Sequence, residues 1–155
     1  MHSGKWDRRF LALANHISQW SKDPSTKVGA VIVNKDRIVV GLGYNGFPRD
    51  VDDSEERYKD RNTKYAMVVH AEANAILMAG EKAKGCTLYV SPSFALPPIC
   101  NECAKLVIQS GIKQIVGYEP DPDDERTKRW NESIAVSRQM CEEAGLHYRS
   151  IRDDN

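Results

Sequence analysis

Two short stretches, "VVHAEANAIL" (68–77) and "CNEC" (100–103), restrict this chain more than any other feature, because each opens a helix with chemically active side chains. Cys100 and Cys103 form C-x-x-C. Three-residue spacing brings both sulfurs to one side of a first helical turn, where free backbone N–H groups and the helix dipole favour thiolates. Such a pair binds a metal or does redox work. His70, at the start of another helix, adds an imidazole. One nitrogen and two sulfurs make three protein ligands, the catalytic form of a zinc site, with the fourth position left to water. A thioredoxin-like reading leaves His70 and Glu72 without a role. A structural zinc site needs a fourth ligand, and His2, His16, His147, Cys86 and Cys141 all lack close ligand spacing from the trio.

Glu72 is too near His70 in sequence to share its face in mid-helix, so it reaches the same centre only because both lie near the helix end. Two thiolates and a neutral imidazole cancel the charge of Zn²⁺, and a carboxylate base nearby then becomes useful. The expectation is that His70, Cys100 and Cys103 hold one Zn²⁺ while Glu72 moves protons.

The 155 residues suit one domain, 1–155, with a catalytic core over about 5–149. No apolar run approaches the roughly 20 residues that cross a bilayer, and "MHSGKWDRRF" has no apolar signal core, so the expected location is the cytoplasm, with no membrane partner. Lys and Arg (22) balance Asp and Glu (22). That leaves no overall field for a long polyanion and disfavours nucleic acid, whereas a small phosphorylated ligand needs only one or two local cations. Four unevenly spaced cysteines point to metal or redox chemistry rather than a disulfide framework.

Along the chain, "DRRFLALANHISQWS" spaces Phe10, Leu13, Ala14 and Ile17 as an amphipathic helix stopped near Pro24. "VGAVIVN" and "RIVVGLGYNG" read as a hairpin turning at Lys35-Asp36, closed by the turn-rich "GYNGFPRD". The charged stretch 51–64 is an exposed loop or a short surface helix. "HAEANAILMAGEKA" is a helix, "TLYVS" a strand, "NECAKLVIQSG" a helix stopped by Gly111 and "IKQIVGY" a strand. After the loop "EPDPDDER", "RTKRWNESIAVSRQMCEEAG" reads as one helix and "LHYRSI" as a last strand. Alternating helices and strands after a hairpin imply a mixed sheet covered on both faces.

"HAE" at 70–72 with "PPICNEC" at 97–103 resembles the H-x-E and P-C-x-x-C pattern of zinc nucleobase deaminases. Ile99 stands between Pro98 and Cys100, where that pattern sets proline directly before cysteine, an added residue expected to reshape the wall above the metal. "SKDPSTKVGAVIV" (21–33), "GYNGFP" (43–48), "TKYAMVVHAEANAI" (63–76) and "CNECAKLVIQSGIKQIV" (100–116) resemble the deoxycytidylate (dCMP) deaminase family to about Tyr148. The resemblance implies a cytidine-deaminase-like fold, a three-layer α/β/α sandwich with a mixed sheet of about five strands. It implies hydrolysis of dCMP to dUMP and ammonia, which supplies thymidylate synthesis, with Glu72 carrying a proton from water to N3 of the cytosine and then to the departing amino group.

By the same resemblance, Asn45 binds the sugar, the backbone near Val28 and Ala71 shapes the base pocket, and Gly43, Tyr44, Asn45 and Gly46 contribute to nucleotide-effector binding. Gly43, Asn45 and Gly46 also suit a plain tight turn, since all three tolerate positive φ. Members are commonly homo-oligomers, often hexamers, activated by dCTP and inhibited by dTTP, with Mg²⁺ accompanying a triphosphate effector. Lys27, Arg49 and Lys64 are candidates for the 5′-phosphate, each equally readable as a solvated charge. Asp50 follows Arg49 where many members have glycine, and an acid there does not help a phosphate. Tyr118 stacks on the base or belongs to the core. The rival functions are a deaminase of another pyrimidine substrate (free nucleoside, modified dCMP or tRNA) and a non-catalytic zinc-binding module.

Overall fold

In the computed structural model, which describes residues 4–153, a five-stranded mixed sheet is covered on both faces. The elements run α1 (Gly4–Ser18), β1 (Gly29–Val33), β2 (Val39–Tyr44), α2 (Glu55–Lys59), α3 (Arg61–Met67), α4 (Ala71–Ala79), a 3₁₀ turn (Gly80–Ala83), β3 (Thr87–Ser91), α5 (Asn101–Gln109), β4 (Gln114–Tyr118), α6 (Glu125–Arg129), α7 (Asn131–Ala144) and β5 (His147–Ile151). The strand order is β2-β1-β3-β4-β5. β1 pairs antiparallel with both β2 and β3, while β3–β4 and β4–β5 are parallel.

Every residue of β1 is buried, because its apolar run meets a helical layer on each side. Ala30 and Ile32 point to the face of α4 and α5, where they join Ala71, Ala75, Leu88, Val107 and Ile115. Val31 and Val33 point the other way, to Phe10, Leu11, Ala14, Tyr89 and Val116. Asp7 ties this second layer together: Tyr89 donates its Oη–H to the carboxylate at 2.8 Å, and the Arg149 guanidinium donates two bonds at 2.8 and 2.9 Å.

The hairpin turn forms as expected, with Asn34 Oδ1 accepting from the N–H groups of Asp36 and Ile38. The 51–64 region takes the helical form of its two expected alternatives: Ser54 and Asp60 cap the starts of the short helices α2 and α3, which Asp60 alone separates, and Tyr58 is buried against Phe47 with ring centroids 4.4 Å apart. Two other expectations change. The helix expected over 126–145 is two helices, broken at Trp130, whose ring turns inward to pack on Phe94. The "GYNG" segment is not a positive-φ turn; Gly43 and Tyr44 end β2, and Gly46 forms an antiparallel bridge with Val69. Positive φ occurs instead at Asp50, φ 65°. Gly43 is glycine for a different reason. A Cβ there would stand 2.6 Å from the Ala71 carbonyl oxygen and from Ala75 N, so only a bare backbone lets the first turn of α4 settle on the sheet.

Candidate active site

The chain reaches the site through three pinned segments. The Gly46–Val69 bridge, with N–H to carbonyl distances of 2.8 and 3.1 Å, fixes the residue before His70. His70 occupies the cap position of α4 in extended conformation, so its side chain leaves the helix at its very start. Cys100 caps α5, and its sulfur accepts the Cys103 N–H at 3.4 Å. Ile99, fully buried, sets that cap: its carbonyl accepts the Ser137 hydroxyl of α7 at 3.0 Å. The added residue therefore anchors in the core, and Pro98, not Ile99, lines the cavity above the site.

His70, Cys100 and Cys103 come together. His70 Nδ1 lies 3.2 Å from Cys103 Sγ and 3.5 Å from Cys100 Sγ, and the three ligand atoms all fall within 4.8 Å of one another. Tetrahedral zinc with Zn–S of ~2.3 Å and Zn–N of ~2.0 Å sets N···S edges of roughly 3.5 Å, so the trio fits that ion as it stands. Among the described residues no other His, Cys, Asp or Glu joins the group. Of the alternative ligands, His2 lies outside the described residues. Cys86 and Cys141 are core residues, and His16 packs on Trp20.

The three groups polarise one another. The Cys100 thiol is pulled down to about 4 by hydrogen bonding from Cys103 and then from His70. The His70 imidazole is pushed up to about 9, chiefly by its bond to Cys100. The Cys103 thiol is pushed up by the same Cys100 bond and by burial. A divalent ion displaces such shared protons on binding. Glu72, only 4% exposed, is coupled electrostatically to His70, Cys100 and Cys103, and burial raises its carboxyl above the ordinary range. A raised carboxyl takes up protons more readily than a solvated one.

A cavity of about 210 Å³ opens against His70, Ala71 and Glu72. Val28 and Asn45, two of the expected substrate residues, line it as well, as does Lys64. Cys100 and Cys103 line a neighbouring groove that shares His70, Tyr65, Val68, Arg129 and Trp130 with this cavity. Asn45 is anchored to the chain's own backbone: its Oδ1 accepts from Val28 N–H at 2.8 Å, and its Nδ2 donates to the Thr26 carbonyl at 2.9 Å. Lys64 is paired with buried Asp23 at 2.8 Å and bonds Ser25 Oγ at 2.9 Å. Burial alone would raise the Asp23 carboxyl, but bonds from Lys64, Ser25 and Thr26 outweigh it and hold it below its ordinary value.

Lys27 and Arg49 are exposed and line no cavity of this site. Tyr118 is partly buried, packs against the core on the α1 face and does not line the cavity. Sequence reasoning missed Asp23, Phe94, Trp130, Arg126 and Arg129, which all line the cavity. Asp23 was readable, since it lies inside "SKDPST"; the two arginines sit in a charged stretch with nothing to set them apart.

Comparison with known proteins agrees with this arrangement. Residues 4–119 match the family model described as "Cytidine and deoxycytidylate deaminase zinc-binding region". The chain is 42% identical over 142 residues to an uncharacterized deaminase of the luxG 3′ region in Aliivibrio fischeri, covering 92% of this chain and 90% of that one. It is 45% identical over 153 residues to the deoxycytidylate deaminase of Homo sapiens, covering 95% of this chain and 80% of the human one. In fold it is similar to the dCMP deaminase of cyanophage S-TIM5 solved with dCMP and dUMP, at a TM-score of 0.73 and 23% identity over 97% of this chain and all of that one.

Proposed function

The chain belongs to the cytidine and deoxycytidylate deaminase zinc-binding family, and from that membership we propose that it hydrolyses dCMP to dUMP and ammonia. The observation that carries this reading is the buried Glu72 carboxyl on the wall of a nucleoside-sized cavity, beside a His/Cys/Cys trio of zinc dimensions. His70, Cys100 and Cys103 hold the ion, which when bound supplies the Lewis acidity that makes water nucleophilic near neutral pH.

The remaining work falls to the chain. Val28 and Ala71 bound the cavity at the base, and Phe94 and Trp130 add aromatic rings to its wall. Asn45 presents a fixed amide beside the sugar, held by its bonds to the 26–28 backbone. Glu72 accepts the proton released by the attacking water and hands it to N3 of the cytosine. It then protonates the amino group as the C4–N bond breaks, so that water supplies the new carbonyl oxygen and ammonia leaves.

On the same family ground, the reading extends to supply of thymidylate precursor in the cytoplasm by a homo-oligomer, taken as a hexamer. It also includes activation by dCTP and inhibition by dTTP at the 43–46 segment, with Mg²⁺ accompanying the triphosphate. Ammonia release from dCMP, CMP, dCTP, deoxycytidine and 5-substituted dCMP, each with and without dCTP and dTTP, tests the whole reading. The expected result is turnover of dCMP but not deoxycytidine, modulated by the two triphosphates. Equal turnover of deoxycytidine replaces the nucleotide reading with a nucleoside one, and no turnover of any substrate leaves a non-catalytic zinc module.

A further inference from the structure

Asn45, only 6% exposed, is clasped by a single stretch of chain, 21–28. Its side-chain amide holds Val28 N–H and the Thr26 carbonyl, its own N–H donates to the Val28 carbonyl at 3.3 Å, and its carbonyl accepts the Ser21 hydroxyl at 2.8 Å. A donor at Val28 and an acceptor at Thr26 permit only one orientation of that amide. The clasp is neither helix nor strand, so its shape depends on side chains. Asp23, fully buried, supplies them. One carboxylate oxygen accepts the Ser25 N–H at 2.9 Å, the Ser25 hydroxyl at 3.0 Å and the Thr26 N–H at 3.2 Å, which folds 23–26 into an Asx turn. The Asp23 N–H donates to Ser21 Oγ at 3.2 Å. Its second oxygen accepts Lys64 at 2.8 Å and lies 3.5 Å from Asn45 Nδ2. The turn thus sets the Thr26 carbonyl and, two residues on, Val28 N–H, the two groups that orient Asn45.

We infer that Asp23 is a positioning residue of the substrate cavity: by folding the 23–28 turn it places the Asn45 amide and the Val28 backbone, and this work is separate from its ion pair with Lys64. The inference rests on the reading of the cavity as the dCMP site. With no exposed surface of its own, the carboxylate acts on a ligand by way of these neighbours. The two tasks need different chemistry. The turn needs an oxygen that accepts from Ser25 and Thr26, which an asparagine also provides, whereas the buried Lys64 ammonium needs a negative charge, which it does not. Asp23→Ala removes both, and Asp23→Asn removes only the charge.

The test compares wild type, Asp23→Ala and Asp23→Asn by dCMP kinetics, urea unfolding and amide hydrogen exchange of the folded, ligand-free proteins. Both variants should lose stability. Asp23→Ala should raise KM by about tenfold or more while kcat moves by less than about threefold, the signature of lost ground-state placement. Asp23→Asn should recover most of that KM loss without recovering the stability. In step with this, Val28 N–H, whose partner is Asn45 Oδ1, should exchange about tenfold or more faster in Asp23→Ala than in Asp23→Asn. The inference is overturned by a KM that rises equally in both variants, by a wild-type KM in Asp23→Ala, by an effect confined to kcat, or by equal Val28 exchange in the two variants. A wild type that releases no ammonia from dCMP removes the deaminase reading, and the exchange comparison, which needs no substrate, then decides the placement role of Asp23 by itself.

Discussion

The two faces of the sheet are packed by different means. Against α1, the filling is large side chains: Phe10, Leu11, Val31, Val33 and Tyr89, with Phe10 and Tyr89 rings 5.3 Å apart. Against α4, it is backbone on backbone, with Gly43 under the first turn of the helix and Ala71, Ala75 and Ala79 buried along it. Side chains can shift a few tenths of an ångström to absorb a change; two main chains in contact cannot. The rigid face is the one that carries His70, Glu72, Cys100 and Cys103. The contrast shows where this chain places precision: stability can be trimmed on the α1 face without moving the site, whereas small changes on the α4 face displace ligands.

The largest expected effect comes from the ligands themselves. Cys103→Ser should remove the bound metal and bring deamination below detection, read as metal content by mass spectrometry beside ammonia release. Retained metal would show that the trio does not hold it. Next comes Leu11→Ala, which should cost about 2–5 kcal/mol in chemical unfolding while the folded protein keeps its metal content. Loss of metal in the folded variant would erase the contrast between the faces.

Asp23→Ala strands the Lys64 ammonium, only 13% exposed, and should cost about 3 kcal/mol near neutral pH. Because the Asp23 carboxyl is held below its ordinary value of about 3.9 in the fold, the pair contributes fully above pH ~4, and that contribution is lost as pH falls through the lowered folded value. The gap between variant and wild type should therefore close in acid, as urea titrations across pH would reveal. A gap that stays constant would assign the effect to packing alone.

Gly43→Val should cost about 1–3 kcal/mol and, unlike Leu11→Ala, weaken metal retention against a chelator. A stability loss with undisturbed metal affinity would mean that α4 tolerates displacement. The smallest effect belongs to Tyr148→Phe, which removes a solvent-exposed bond to Glu142 at 3.0 Å and should change stability by less than about 1 kcal/mol with activity intact.

The parts of the site that were legible in the sequence are those where residue type and spacing jointly demand a centre. His70 with Glu72, and Cys100 with Cys103, announce themselves because those pairs at helix starts have few other uses. The hairpin and the strands seen at 87–91 and 114–118 followed from short apolar runs between turn residues, and the sheet covered on both faces followed from the alternation of helices and strands. What escaped has a physical pattern too. "GYNG" looks like a turn because glycine serves both turns and close approach, and only the contact of Gly43 with Ala71 decides between them. The break at Trp130 is a tertiary event, drawn by packing on Phe94 within an otherwise continuous helical pattern. Arg126 and Arg129 look like any solvated charges until the fold sets them beside Lys59 and Arg61, residues from a different part of the chain.

The central claim is a division of labour: three side chains hold a metal, and the neighbouring carboxylate moves protons without holding it. Metal content and dCMP turnover of wild type and Glu72→Gln, measured on the same preparations, test it most directly. The account predicts about one zinc ion per chain in both proteins and a turnover in the variant lower by about 10²–10⁴. A wild type that carries no zinc, a variant that loses its metal, or a variant that deaminates dCMP at the wild-type rate would contradict it.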